Sequence, residues 1–483
     1  MQFVVVGIYA VLIILISVIS AKKSKTVGDF YLGGRNIGGW VAALGYGTTY
    51  FSAVMFVGYA GSMGAKFGIS SMWIGIANGV LGTLFAWLVL AKPTSQMTRR
   101  IDASTMPSFF EKRYDSKGMK ILATIIIFVF LVPYCASVYQ GLSYVFESAF
   151  GIPYTYCMMA MAVLTLIYLL AGGYMASKLS DLLQAFIMVL GVSALVYFIF
   201  KHEATGGMMN GIEKLAAIEE SRAMLFGAKE NAFSLICLML STSLGTWGLP
   251  QMVHKFYAIK DEASIKRGTV VATVFVVLIG GIVYFLGGFG ILFTGGAIPA
   301  EGSDIIMPTM MGTALPPFWL GIVVVLLMAA SMGTLSSLVL ASSSAITLDL
   351  IKGTVKKDLS EKKTLLVLRV LCAVFVVISF LIALKKPAAI LTLMSLSWGA
   401  ISGSFLAPFM LGVRWRGVTK AGAWAGMLGG ILTTIGMALF WKLDSESSPV
   451  ICVTSIFLSL VLTVVVSLVT KKFSKEHIEK MFG

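Results

Sequence analysis

The sequence predicts an all-α polytopic membrane protein with about thirteen transmembrane helices, and three observations predict it. Apolar residues make up 58% of the 483-residue chain and charged residues 12%, with a mean hydropathy of +0.91. A water-soluble core of this length does not need so much apolar surface. The apolar residues gather into runs of about 20, the length a helix needs to cross the hydrocarbon. Finally, 29 of the 37 Lys and Arg residues fall in alternate connections between those runs. That is the positive-inside pattern, and it accounts for the net charge of +15 without any nucleic acid or other acidic partner.

The first run, 3–20, starts without a basic leader or a small-residue cleavage site and reads as a retained helix. The second, 40–62, carries Gly45 and Gly47, then Thr48-Thr49-Tyr50-Phe51-Ser52, with Gly58 and Gly61 beyond. Runs at 72–91, 120–149, 152–173 and 180–200 follow. The seventh, 232–256, contains SLGTWGLPQ, with Gly245, Gly248 and Pro250. The remaining six are 269–294, 317–347, 365–384, 388–411, 421–441 and 449–470. Counting the basic residues places the N-terminus outside and the C-terminus in the cytoplasm of a bacterial-type inner membrane. A stretch such as KGTVKKDLSEKK is then an ordinary cytoplasmic loop. The longest pieces outside the membrane are 92–119, 201–231 and 295–316, and GIEKLAAIEESRAM in the second reads as a short helix on the outer face.

The second and seventh runs hold residues that suit an unwound helix. Glycine lowers the cost of leaving the helix, and proline removes a donor and clashes with the preceding turn. Backbone groups freed at membrane depth have to line a cavity or a site. Gly and Pro are also common in ordinary membrane helices, but here they open two consecutive sets of five runs, as in an inverted-repeat transporter. The expected organisation is one membrane domain, 1–483: a first helix 3–20, repeat one 40–200, repeat two 232–411, and extra helices 421–470.

Chemistry at depth concentrates in the ninth run, where Ala329–Leu350 reads AASMGTLSSLVLASSSAITLDL. Ala330, Thr334 and Ser337 share one helical face, with Ser336 beside them. Such hydroxyls either bond back to a carbonyl one turn earlier or, with free carbonyls, offer the all-oxygen surroundings a hard cation takes. Asp181 opens the sixth run, as a helix-start residue or as a buried ion ligand. Glu147, Lys178 and Asp349 read as boundary residues, and no Arg or Lys is expected at depth. Enzymatic readings fare poorly. His202, His254 and His477 fall at or beyond run ends, and there is no CxxC, HExxH or P-loop. Met-rich tracts such as MPTMM read as packing. The five cysteines all lie in apolar runs, so free thiols are expected.

Several stretches together resemble the sodium/solute symporters. They are Phe30–Arg35 (FYLGGR), Tyr134–Ser137 (YCAS), Phe146–Tyr154 (FESAFGIPY), Ala171–Gln184 (AGGYMASKLSDLLQ) and Ser342–Leu350 (SSSAITLDL). Gly248-Leu249-Pro250, Lys260-Asp261 and Arg267-Gly268 add to them. The resemblance runs from about residue 25 to 430 and is strongest to the bacterial proline and pantothenate branch. It implies a LeuT-like fold of five plus five helices and sodium-coupled import of a small organic solute by alternating access. The solute classes it leaves open are amino acid, monocarboxylate, vitamin-like acid and sugar.

The resemblance also implies sites. Its common sodium site maps to Thr48, Phe51, Ala330, Gly333 and Thr334, with Gly333 standing where relatives usually have serine. A further sodium site, found in some members, maps to Asp181, Ser336 and Ser337, so one or two ions are expected. Solute-facing positions map to Tyr50, Ser52, Met55, Asn78, Tyr134, Thr242, Thr246 and Trp247, with Trp398 nearby. Thr242 and Thr246 replace the aromatic pair that positions proline. Tyr134 stands where sialic acid carriers place an arginine. A proton-driven carrier using Asp181, or a receptor that kept the fold and lost transport, is open on the same residues.

Overall fold

The computed structural model describes residues 1–21, 26, 28, 30, 35–355, 358–441, 443–444 and 446–483, with the backbone alone at 21 and 171–179. Positions 31–34 of the FYLGGR stretch, and the side chains of Ala171–Leu179, lie outside the described residues.

Among the described residues the chain is helical almost throughout, and the apolar runs form thirteen legs. The first is Gln2–Ala21. The second begins as Gly39–Tyr50, leaves the helix at Phe51 (φ −100°, ψ 139°), and resumes as a wide turn over Val54–Tyr59 and an α-helix over Ala60–Phe67. The third runs from Met72 to Arg100. Together the resumed second leg and the third form a nearly continuous 47-residue stretch, Val54–Arg100. At 1.5 Å per residue that is about twice the hydrocarbon thickness. Gly68 divides it, at φ +58° and ψ −140°. A Cβ there would collide with the carbonyl oxygen of Arg222. Gly68→Ala should therefore cost at least about 2 kcal/mol in thermal unfolding. Gly436→Ala, inside the helix Lys420–Phe440 with nothing within 4 Å of the added Cβ, should be neutral or slightly stabilising.

The fourth leg is Lys117–Phe150, which keeps Pro133 within it and ends at Gly151 (φ +64°). The fifth and sixth share one helical assignment, Tyr154–Lys201. They cannot be collinear. Tyr168 Oη lies 2.8 Å from Ser180 Oγ, whereas twelve residues of straight helix rise about 18 Å. The axis therefore folds back between the two residues, as the expected pair of runs requires.

The seventh leg is Ala232–Gly248 followed by Pro250–Tyr257, bent by 50° at Leu249, with Pro250 in the first turn of the second piece. The eighth, Glu262–Gly288, is capped by Asp261, whose Oδ1 accepts from Ser264 N at 2.8 Å. The ninth, Pro317–Ser344, continues as a wide helix to Val355. Glu361–Leu384, Ile390–Arg414, Lys420–Phe440 and Ser447–Val469 complete the set. On the connections, Met208–Ile218 forms the expected short helix, and Ile306–Ala314 buries Met307, Met310 and Met311 as packing.

Burial separates centre from rim. In the ninth and eleventh legs 94% of the apolar window is buried, against 22% in the first and 28% in the tenth. The tenth exposes Leu366, Val370, Val374, Val377 and Leu381, an apolar stripe at helical spacing that suits lipid. The hydroxyl-rich ninth leg is thus the core of the bundle. Its serines and threonines lie where neither water nor headgroups reach.

Candidate ion and solute site

The site forms where the second leg breaks. Helical geometry would give Thr49 O to the amide of residue 53, but Ala53 N bonds Ser331 Oγ instead (2.9 Å). Likewise Met55 N, the helical partner of Phe51 O, bonds Ser52 O (3.0 Å). Ser52 Oγ accepts from Val54 N (3.2 Å), so this hydroxyl caps the resumed helix. The break thus satisfies its amides outside the helical register and turns its carbonyls toward the ninth leg.

Thr334 meets them. Its Oγ1 lies 3.1 Å from Thr49 O, 3.1 Å from Phe51 O and 3.2 Å from Ala330 O. A threonine hydroxyl carries one proton, so it can donate to one of these three carbonyls. The other oxygens face one another with no proton between them. Four converging oxygens with a single proton make a poor hydrogen-bond cluster and a good nest for a hard cation. Thr48 O is close by, 3.8 Å from the position a Cβ on Gly333 would take. The structure therefore brings Thr48, Phe51, Ala330, Gly333 and Thr334 together. It adds the Thr49 carbonyl, which sequence reasoning missed because a backbone ligand has no side-chain signature.

Asp181 sits one turn away. Its carboxylate is buried and lies 3.7 Å from Lys255 Nζ, each side chain being 3% accessible. Gly45 makes room for the pair: a Cβ there would collide with Asp181 Oδ2 and stand 3.5 Å from Lys255 Nζ. This corrects the expectation of no basic residue at depth. The 50° bend at Leu249 swings Pro250–Tyr257 inward, burying Lys255 and also His254. Arg113 and Lys120 are buried as well; Arg113 Nε donates to Gly412 O (2.9 Å). Of the hydroxyls matched to a second ion, Ser336 Oγ donates to Gly333 O (3.0 Å), the bland reading of a membrane-helix serine, and Ser337 is buried. Asp349, expected at a boundary, is buried and accepts from Thr105 Oγ1 (2.8 Å).

The solute-facing set divides in two. Tyr50, Asn78, Thr242 and Thr246 belong to one polar knot between the second, third and seventh legs. Tyr50 Oη donates to Thr242 O (2.7 Å), and Thr242 Oγ1 lies 2.7 Å from Asn78 Oδ1. Thr246 Oγ1 donates to Ser243 O (2.8 Å), and Trp247 Nε1 to Leu81 O (3.1 Å). Ser52 and Met55 belong to the break itself. Tyr134 packs edge-on against Trp398, ring centroids 5.9 Å apart. Trp398 also lies against Gly245, and its buried indole N–H lies beside the Tyr134 hydroxyl. All eight expected positions are less than a tenth exposed, so the region is closed to both sides.

The comparisons with known proteins give the family and the fold. Residues 30–430 match the sodium:solute symporter family. The chain belongs to that family. Among relatives of this symporter, the osmoregulated proline transporter OpuE of Bacillus subtilis (strain 168) is 28% identical over 485 residues, covering 99% of the chain and 96% of the relative. The sodium/proline symporter of Staphylococcus aureus is also 28% identical, covering 98% and 93%. Among solved structures, a substrate-bound, outward-open Na+-coupled sialic acid symporter superposes with a TM-score of 0.79 at 18% identity, covering 98% of the symporter and 99% of that chain. Mhp1, a nucleobase-cation-symport-1 family transporter in a closed conformation, gives 0.59 at 12% identity, covering 95% and 98%. The fold is that of LeuT-like transporters, and the protein is a sodium-coupled symporter of a small solute.

Proposed function

We propose that this symporter imports a small organic solute of amino-acid size together with sodium, through a bacterial inner membrane, with its N-terminus outside and its C-terminus in the cytoplasm. The observation that carries the ion site is the convergence of Thr49 O, Phe51 O and Ala330 O on the Thr334 hydroxyl. Sodium there is cargo, held by Thr48, Phe51, Ala330 and Thr334. It ties the broken second leg to the ninth, two elements that must separate for the ion to leave. Sodium binding thus favours one arrangement of these legs, and solute then closes the chamber around itself, which couples the two cargoes. A cation entering down 100 mV contributes about 2.3 kcal/mol. Nothing in the arrangement is suited to making or breaking covalent bonds, and we read the chain as a transporter without enzymatic activity.

For the solute, the chamber offers Tyr50, Asn78, Tyr134, Thr242, Thr246 and Trp247, with the buried Trp398 N–H beside Tyr134 as a further donor. A donor of this kind, beside an aromatic wall, suits the carboxylate of a small amphipathic acid. The named relatives carry proline, and Thr242 and Thr246 offer hydroxyls where a proline-shaped apolar fit would want rings. We therefore assign the solute to small polar amino acids or hydroxy acids. Uptake into proteoliposomes should be strongly reduced when choline replaces sodium. Undiminished sodium-free uptake driven by a pH gradient would replace this reading with the proton-driven one. A thermal-shift screen of small acids, amino acids, vitamins and sugars, with and without sodium, should single out a solute whose stabilising effect requires the ion.

A further inference from the structure

The second and eighth legs touch backbone to backbone where both begin. A Cβ on Gly39 would stand 2.6 Å from Ser264 O and 3.2 Å from Arg267 Cβ, and one on Gly268 would collide with the Trp87 ring. The contact leaves an open cleft of about 500 Å³ on the perimeter of the bundle, lined by Trp40, Lys266, Arg267, Val270 and Val271. The neighbouring carboxylates are engaged elsewhere. Asp261 accepts from Ser264 N at 2.8 Å and faces Lys260 at 3.6 Å, and Glu262 pairs with Lys92 at 2.8 Å. Among the described residues, the exposed Lys266 and Arg267 have no ion-pair partner. Below them Val270, Val274 and Leu278 follow at helical spacing, 63%, 52% and 54% exposed, so an apolar track leads from the cleft along the eighth leg.

We propose that this cleft holds an anionic glycerophospholipid of the cytoplasmic leaflet, its phosphate on Lys266 and Arg267 and an acyl chain along Val270, Val274 and Leu278. The choice of leaflet rests on the topology proposed above, which puts the start of both legs in the cytoplasm. Adjacent cations without a counter-ion at a membrane surface attract anionic headgroups. The guanidinium offers parallel donors to a phosphate and the ammonium adds a second charge. Trp40, 60% exposed, suits headgroup depth, where an indole turns its ring to the chains and its N–H to the polar layer. The tenth leg supplies a contrast. It too has an apolar stripe, but its Arg369 lies over the Phe30 ring (5.6 Å) and does not face lipid as a free charge. A lipid in the cleft spans two legs, and so braces Gly39–Tyr50, the half-helix that ends at the carbonyls of the ion site, against the eighth.

The test uses the purified symporter in a neutral detergent, titrated with phosphatidylglycerol or phosphatidylcholine and followed by thermal unfolding. Phosphatidylglycerol should stabilise wild type, and phosphatidylcholine much less. Lys266→Gln/Arg267→Gln should raise half-saturating phosphatidylglycerol about thirtyfold, the effect of two basic residues at an anionic surface, with stability in phosphatidylcholine unchanged. Trp40→Ala changes no charge and should weaken the same lipid about threefold. Lys471→Gln/Lys472→Gln removes as much charge after the thirteenth leg and should titrate like wild type. Equal losses in the two double variants would reduce the effect to net charge and overturn the site. Equal stabilisation by the two lipids, or by inorganic phosphate and phosphatidylglycerol, would overturn the anionic lipid as the occupant. Should Lys266→Gln/Arg267→Gln fail to fold, Arg267→Gln alone must show a smaller shift in the same sense; an unchanged titration overturns the proposal. Topology is read separately, because binding in detergent does not depend on sidedness. Lys260→Cys, at the same end of the bundle, should react with an impermeant thiol reagent only in inside-out vesicles, the five native cysteines being buried. Reaction from the outside would overturn the topology and the leaflet while leaving the cleft's lipid in place.

Discussion

Thr334→Ala should raise the sodium concentration for half-maximal uptake by about ten- to a hundredfold, equivalent to about 1.4–2.8 kcal/mol of ion binding. Thr334 Oγ1 is the one side-chain oxygen among the four that converge at the break, and together with Ser331 Oγ it links the second leg to the ninth there. Without it, three carbonyl dipoles still point at one place, but the ninth leg contributes only Ala330 O. Ion binding then no longer senses the relative position of the two legs, so coupling should suffer beyond the loss of affinity. Thr334→Ser keeps the hydroxyl and should stay within about threefold of wild type, because only the methyl packing changes. Thr334→Val keeps the shape and loses the oxygen, so it should behave like alanine. Ser343→Ala is the control on the same helix. Its hydroxyl is buried beside Cys372, and it lies more than two turns toward the other end of the leg. Sodium titration of uptake for the four variants decides the matter. Equal losses at 334 and 343 would mean the hydroxyls serve packing, and the assignment would fall.

Much of this was legible in the sequence because the signals are strong ones. Membrane spans follow from twenty-residue apolar runs, and both broken legs follow from glycine and proline, which act locally whatever surrounds them. The hydroxyls of the ninth leg were visible because polar side chains in a fully apolar run have no solvent to meet. What stayed hidden depends on direction in space. Thr49 contributes a carbonyl, and every residue has one; only the diversion of Ala53 N to Ser331 marks it. Lys255 closes the seventh run, 232–256, and counting along the chain treats a span as straight and leaves such a residue at the boundary. The bend at Leu249 breaks that assumption and carries an ammonium into the core. The polar knot of Tyr50, Asn78 and Thr242 is likewise a meeting of three legs that no spacing rule connects.

The bend leads to the second large effect. Lys255→Met should destabilise the folded protein by about 3–5 kcal/mol, because it removes the ammonium that stands beside the buried Asp181 carboxylate. The same substitution at an exposed pair would be nearly silent; here each side chain is 3% accessible, and neither water nor salt can take over. Asp181→Asn should cost a similar amount by stranding the ammonium. The double variant Asp181→Asn/Lys255→Met removes both charges and should recover most of that loss, since a neutral pair asks for no compensation. Thermal unfolding of the four proteins in one detergent closes the cycle. Sodium adds a further reading. An uncompensated carboxylate one turn from the ion site attracts cations, so sodium should stabilise Lys255→Met by more than it stabilises wild type. In the double variant that extra stabilisation should vanish. If the two single losses simply add in the double variant, Asp181 and Lys255 do not act as a pair. If sodium stabilises wild type and Lys255→Met alike, the ammonium is not what keeps a second cation from the Asp181 carboxylate. The outcome bears directly on stoichiometry. Lys255 supplies from within the chain the positive charge that a second sodium ion would otherwise bring to Asp181, so wild-type transport is expected to depend on sodium with a Hill coefficient near one, and Lys255→Met to exceed it.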